Sequence, residues 1–208
     1  MANLITLSRL LLLLALVLLL HSPPTWWQLF NLPLLILIFV SDGLDGYVAR
    51  KKNQSTLFGA LFDIAADRIV ENVLWVVLAV LGYAPVWVPI LFIVRGAIVD
   101  AIRSHDASEG IAPFAGTRSL MMQTLVSGRS MRIGYAVLKA TTFGYLVLFM
   151  PLQWLNFPGW TTHGPLIHTL ANWLIGSTVA LNLVRGLPVV VDFLLRGRNG
   201  AAPGATNP

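Results

Sequence analysis

Six stretches of this chain are apolar over lengths near the roughly 20 residues that a helix needs to cross a bilayer. They run over about residues 4 to 20, 29 to 49, 57 to 81, 88 to 104, 132 to 151 and 166 to 187. In hydrocarbon the backbone must satisfy its own hydrogen bonds, so such runs read as helices. Composition agrees: 56% of residues are hydrophobic and 11% charged, with a mean hydropathy of +0.75, against about 25% charged in soluble domains. With no cysteine, disulfides, thiolate metal sites and thiol nucleophiles are excluded. The expected fold is an all-α integral membrane protein, a bundle of six transmembrane helices. Residues 1–198 read as a single domain and the Gly, Ala and Pro-rich residues 199–208 as a disordered tail.

The net charge of +5 would suggest nucleic acid in a soluble protein, but the positions of the basic residues follow topology instead, and no nucleic-acid partner is expected. The connections at 21 to 28, 82 to 87 and 152 to 165 contain no Lys or Arg and hold Trp26, Trp27, Trp87, Trp154 and Trp160, the make-up of an outer aromatic belt. Arg50, Lys51, Lys52, Arg103, Arg118, Arg129 and Arg132 lie on the opposite connections, and Arg196 and Arg198 in the tail. The positive-inside rule therefore predicts a multi-pass cell-membrane protein with both termini in the cytoplasm. The first apolar run lacks a small-x-small site before His21-Ser22-Pro23-Pro24 and is expected to be retained rather than cleaved. Pro188 is expected to end or kink the sixth helix, and His163 and His168 to sit in an outer loop without metal-binding geometry.

Against this apolar background Asp42, Asp45, Asp63 and Asp67 stand out, because an ionised carboxylate within a membrane span costs at least a few kcal/mol without partners. Asp42, Asp45, Gly46 and Ala49 recur at i, i+3, i+4 and i+7, one face of a helix, and two small residues there let a ligand approach the backbone. On the next helix Gly59, Asp63 and Asp67 recur at i, i+4 and i+8, and Glu71 continues the stripe. A short polar turn, Asn53 to Thr56, makes the two helices antiparallel neighbours, so their carboxylates converge on a polar cavity near one membrane face. Four such groups repel one another; hard divalent cations with oxygen ligands, Mg2+ or Mn2+, relieve this, and a pair of ions is the arrangement for displacement at phosphorus. The alternative is that these aspartates pair with Arg68, Arg95, Lys139 or Arg185 to hold the bundle. That role is expected for Asp100 with Arg103 or Arg95, and for Asp192 with Arg196.

The pattern D-x-x-D-G-x-x-A-R, eight residues, G-x-x-x-D-x-x-x-D resembles the signature of the CDP-alcohol phosphotransferase family, through Asp42, Asp45, Gly46, Ala49, Arg50, Gly59, Asp63 and Asp67. Asn3, Thr6 and Arg9 at the start of the first helix also resemble family members. The resemblance implies transfer of a substituted phosphate from a CDP-linked donor, CDP-diacylglycerol above all, to an alcohol, with release of CMP at the cytoplasmic interface. It implies that Asp42, Asp45 and Asp63 are ligands of two Mg2+ or Mn2+ ions and that Asp67 is ligand and general base. Asp42, Gly46, Ala49, Arg50, Gly59, Asn3 and Thr6 would then line the donor site, and a homodimer is in keeping with the family.

For the acceptor, Arg103, Arg118, Arg129, Arg132 and Lys139 gather by topology on the cytoplasmic side, and Arg132, Tyr135, Ala136 and Lys139 share a helix face, which suits a phosphorylated alcohol. Asn53 to Thr56, Phe58-Gly59-Ala60 and Lys139-Ala140-Thr141-Thr142 look most like phosphatidylglycerophosphate synthases, whose acceptor is glycerol 3-phosphate. Ile64 and Gly96 depart from that pattern and keep inositol phosphate, serine and phosphatidylglycerol as alternative acceptors. The rival of another class is a small cation carrier or channel; it would need polar groups through the membrane depth, whereas these lie near one end.

Overall fold

The computed structural model describes residues 2–23, 25–51, 57–110, 128–155 and 159–198, leaving out the side chains of 2–5, 42–51, 57, 58, 60, 129, 197 and 198. The polar turn at Asn53 to Thr56, Arg118, Met121-Met122 and the tail lie outside the described residues. Among the described residues all regular structure is helical. The α-helices are α1 (Ala2–Leu20), α2 (Asn31–Lys51), α3 (Leu57–Val80), α4 (Trp87–Ser108), α5 (Arg129–Phe149) and α6 (Trp160–Arg198), with short 3-10 helices at Trp26–Phe30 and Met150–Gln153. They fall into two compact units, one of Met1–Pro89 with Lys139–Ile175, the other of Ile90–Leu138 with Gly176–Pro208.

In the first unit α1 packs on α2 and α3. It does so through Thr6, Arg9, Leu13, Leu16 and Leu20, which are buried and spaced alternately three and four residues apart, the seam of a packed helix. Leu7, Leu11, Leu14 and Leu18 occupy its other side and are exposed. The core proper forms where Trp75 of α3, fully buried, meets Phe143 of α5 with ring centroids 4.7 Å apart, and Phe39 of α2 stacks on the same Phe143 at 6.4 Å. Two side chains of α5 donate hydrogen bonds to carbonyl oxygens of α6, Thr142 to Leu174 at 3.5 Å and Tyr145 to Ile167 at 3.1 Å. The turn after α3 is set by Gly82, whose φ of 75° is left-handed. There the Tyr83 amide donates to the Leu78 carbonyl (2.8 Å) and the Gly82 amide to that of Ala79 (3.0 Å), a Schellman ending that spends orphan carbonyls of the last turn.

In the second unit Val99 and Ile102 of α4 pack against Val189 of α6, flanked by Val190 and Phe193. Arg196 closes this end, donating to both oxygens of Asp106 at 3.1 and 2.7 Å and lying 3.1 Å from Asp192. The predicted Asp192 and Arg196 pair is present, extended by Asp106.

The sixth helix differs from expectation. It begins at Trp160 rather than near 166 and runs 39 residues, through Pro165 and Pro188, so Pro188 does not end it and His163 and His168 are helical rather than in a loop. Its start is fastened locally: the Trp160 ring lies against Gly164, where an added Cβ would sit 3.2 Å from it, and meets His168 edge-on at 5.6 Å. Each proline removes one backbone donor, a loss tolerated in apolar helices whose neighbours and side chains satisfy the freed carbonyl. Near the first proline, Thr169 donates its hydroxyl to the Pro165 carbonyl (2.8 Å).

Large apolar side chains are exposed on every helix, among them Leu18, Val40, Ile64, Ile90, Val137 and Trp173, an extent of apolar surface that marks contact with lipid rather than water. Two helical stretches, Ser130–Gln153 and Trp160–Arg196, are long and apolar enough to cross a membrane, and Thr6–Leu20 and Trp26–Ser41 are shorter apolar stretches. The described residues are thus all-helical in their regular structure, and the protein is membrane-associated. Trp75→Ala should cost roughly 3–5 kcal/mol, because a large buried ring leaves a cavity, and Gly82→Ala about 1 kcal/mol, because it forces a Cβ into left-handed backbone. Unfolding free energies in detergent, with exposed Val80→Ala changing little, check both.

Candidate active site

The seam of α1 that buries Leu13, Leu16 and Leu20 also carries Arg9 inward, to 1% side-chain exposure. A guanidinium stays protonated in a protein, so its burial requires acceptors. They come from the stripe on α3, where Asp63 and Asp67 stand one turn apart. Nη2 of Arg9 donates to Asp63 Oδ1 at 3.1 Å and Nη1 lies 2.9 Å from Asp67 Oδ1. The carboxylates themselves remain open, 43% and 55% exposed. The arginine approaches from the packed seam of α1 and contacts Oδ1 of each.

One turn further Glu71 is treated differently. It is buried, with Lys139 Nζ of α5 at 3.3 Å and Arg68 Nη1 at 3.8 Å. Three carboxylates and three cations therefore alternate along this face of α3, and the described stripe is close to neutral. Thr6 is buried one turn before Arg9 on the same seam.

Of the predicted site residues, the structure brings Asp63, Asp67 and Lys139 onto or beside one stripe, through Arg9 and Glu71. Gly59 opens that stripe near the start of α3. Asp42, Asp45, Gly46, Ala49 and Arg50 are in the C-terminal part of α2, and Asn3 and Arg129 at the starts of α1 and α5, with side chains outside the described residues. Arg103 and Arg132 belong to the second unit and are exposed. In that unit Tyr135, one turn from Arg132, is buried, donates to Asn182 Oδ1 at 3.4 Å and stacks under the Arg185 guanidinium at 4.9 Å. Of the pairings weighed as the alternative, Lys139 and Arg68 lie beside Glu71 of the same stripe, and the cation in direct contact with both Asp63 and Asp67 is Arg9. Sequence reasoning passed over Arg9 as a partner although the signal was present, a lone cation at the three-four spacing of an otherwise apolar seam.

Two hard oxygen donors, one helical turn apart, half-exposed and anchored from behind, fit divalent-ion coordination. Asp63 and Asp67 are the described residues that would contribute, with Asp42 and Asp45 completing the predicted set.

The chain is 35% identical over 111 residues to the CDP-diacylglycerol--glycerol-3-phosphate 3-phosphatidyltransferase of Pseudomonas fluorescens, covering 52% of this chain and 56% of that protein. It is 34% identical over 111 residues to the protein of the same name from Escherichia coli strain K12, covering 52% and 60%. Against that of Mycoplasma genitalium it is 41% identical over 66 residues, covering 32% and 28%. The chain thus spans less than two thirds of the length of these relatives. The family described as CDP-alcohol phosphatidyltransferase matches residues 1–184, nearly the whole chain, and to that family this protein belongs.

Proposed function

We propose that the protein transfers a phosphatidyl group from CDP-diacylglycerol to glycerol 3-phosphate, giving phosphatidylglycerophosphate and CMP. The observation that carries this reading is the open pair of carboxylates, Asp63 and Asp67, in the family motif with a buried arginine behind them. The names of the relatives supply the substrates, and the residues supply the chemistry. In this reading the six helices cross the membrane with both termini and the acidic cavity at the cytoplasmic side, following the arginine distribution.

When bound, two divalent ions, Mg2+ or Mn2+, neutralise the diphosphate and stabilise the entering and leaving oxygens. Asp42, Asp45, Asp63 and Asp67 would hold them. Asp67, more open than Asp63, takes the proton from the acceptor hydroxyl. That oxygen forms a bond to the phosphorus bearing the diacylglycerol as the bond from this phosphorus to the bridging oxygen breaks, and the electron pair leaves with CMP. Gly46 and Ala49, having little or no side chain, let the nucleotide approach α2, and Arg50 meets its phosphate charge, with Gly59, Asn3 and Thr6 at the edges of the donor site. Arg103, Arg118, Arg129, Arg132 and Lys139 form the basic side that receives the acceptor phosphate. Lys139 itself lies beside α3, 3.3 Å from Glu71.

Purified full-length protein in detergent with Mn2+ should release CMP from CDP-diacylglycerol only when an alcohol acceptor is added. Asp67→Asn should lower turnover by about 10²-fold or more, the usual weight of a positioned general base, with its melting temperature little changed. Wild-type turnover by this variant would remove the base assignment. In a competition among glycerol 3-phosphate, inositol 1-phosphate, serine and phosphatidylglycerol, glycerol 3-phosphate should be consumed first. An uncharged acceptor winning would end the role given to the basic residues.

A further inference from the structure

Arg9 is placed in a way that packing alone does not require. A buried guanidinium can be satisfied by one carboxylate through two parallel hydrogen bonds, as Arg196 is by Asp106. Arg9 instead divides its two terminal nitrogens between carboxylates on successive turns of α3, taking Oδ1 of each. The burial is also unequal. Glu71 is buried together with its cations, the usual form of a pair that holds helices together. At Arg9 the cation is buried to 1% exposure while Asp63 and Asp67 keep 43% and 55%. The arginine holds Oδ1 of each carboxylate, while both carboxylates keep a large exposed surface.

We infer that Arg9 is a positioning residue: from the buried side it supplies part of the positive charge that Asp63 and Asp67 need, and so orients both carboxylates before divalent ions arrive. The inference rests on the two-ion reading proposed above. Among the described residues, Arg9, Arg68 and Lys139 lie against Asp63, Asp67 and Glu71. Ions entering at the open side then meet carboxylates already fixed in direction. Without Arg9 the two aspartates repel each other, and the same ions must supply all of the compensating charge, so folding and ion binding become linked more strongly.

The test compares melting temperatures of the full chain in detergent, in EDTA and in Mn2+, for wild type, Arg9→Met and Arg9→Lys. Mn2+ binding is followed independently by electron paramagnetic resonance. Arg9→Met should melt lower than wild type in EDTA and show a larger upward shift with Mn2+; Arg9→Lys, which keeps the charge but cannot bridge both carboxylates as a fork, should fall between them. Arg196→Met, which removes a partly buried arginine that contacts Asp106 and Asp192 instead, should lower both curves equally. Equal Mn2+ shifts in Arg9→Met and wild type overturn the inference and leave the two-ion reading standing. A wild type that binds no Mn2+ overturns both. If Arg9→Met cannot be recovered folded, the comparison of Arg9→Lys with wild type decides: a larger shift supports the inference and an equal one overturns it.

Discussion

A permanent cation buried on the first helix is the constraint on which the rest of the first unit turns. Because Arg9 cannot shed its charge, α1 must face carboxylates at that depth, and Asp63 and Asp67 meet it at 3.1 and 2.9 Å. One helical turn is about 5.4 Å, so sliding α1 by a turn would break at least one of the two contacts and change which carboxylates compensate the buried charge, a costly change for a buried ion pair. The leucines of the seam provide most of the buried area and would pack nearly as well in a shifted register. The ion pairs choose among those registers, and in doing so they fix where the acidic stripe stands relative to its neighbours.

The stripe then separates two uses of the same residue type. Glu71 is enclosed with Lys139 and Arg68 and joins α3 to α5. Asp67 and Asp63, one and two turns earlier, meet Arg9 of α1 and stay largely exposed. Helical periodicity sets all three on one face, but the depth of their cover, set by α1 and α5, decides which acid is tied into the packing and which is open to a ligand.

Much of this was legible in the sequence because it depends on local repeats. The apolar runs gave helices close to their observed ends for α1 to α5, and the four-residue repeat from Gly59 to Glu71 gave the stripe. What was not legible depended on tertiary pairing or on context that overrides local signals. Pro188 read as an end or kink of the sixth helix, yet α6 continues past it, since in apolar helices the lost backbone bond is tolerated. The partner of Asp63 and Asp67 lies 54 residues from the nearer of them, too far for spacing rules, and only the position of Arg9 on the seam pointed to it. Nor does any pattern announce that Gly186 is bare because the Arg95 side chain lies against its backbone within the second unit, where a Cβ would collide with the guanidinium.

The 39 residues of α6 also have a geometric consequence. At 1.5 Å per residue the rod is about 58 Å long, against an oily layer of about 30 Å. Hiding it by leaning would take roughly 60° from the membrane normal, more than the 0–40° that such helices adopt. In the membrane-spanning reading proposed above, the helical length beyond that layer lies at the headgroups. The polar first turns at Thr161, Thr162 and His163, and the clasp of Arg196 on Asp106 and Asp192, suit these two projecting ends.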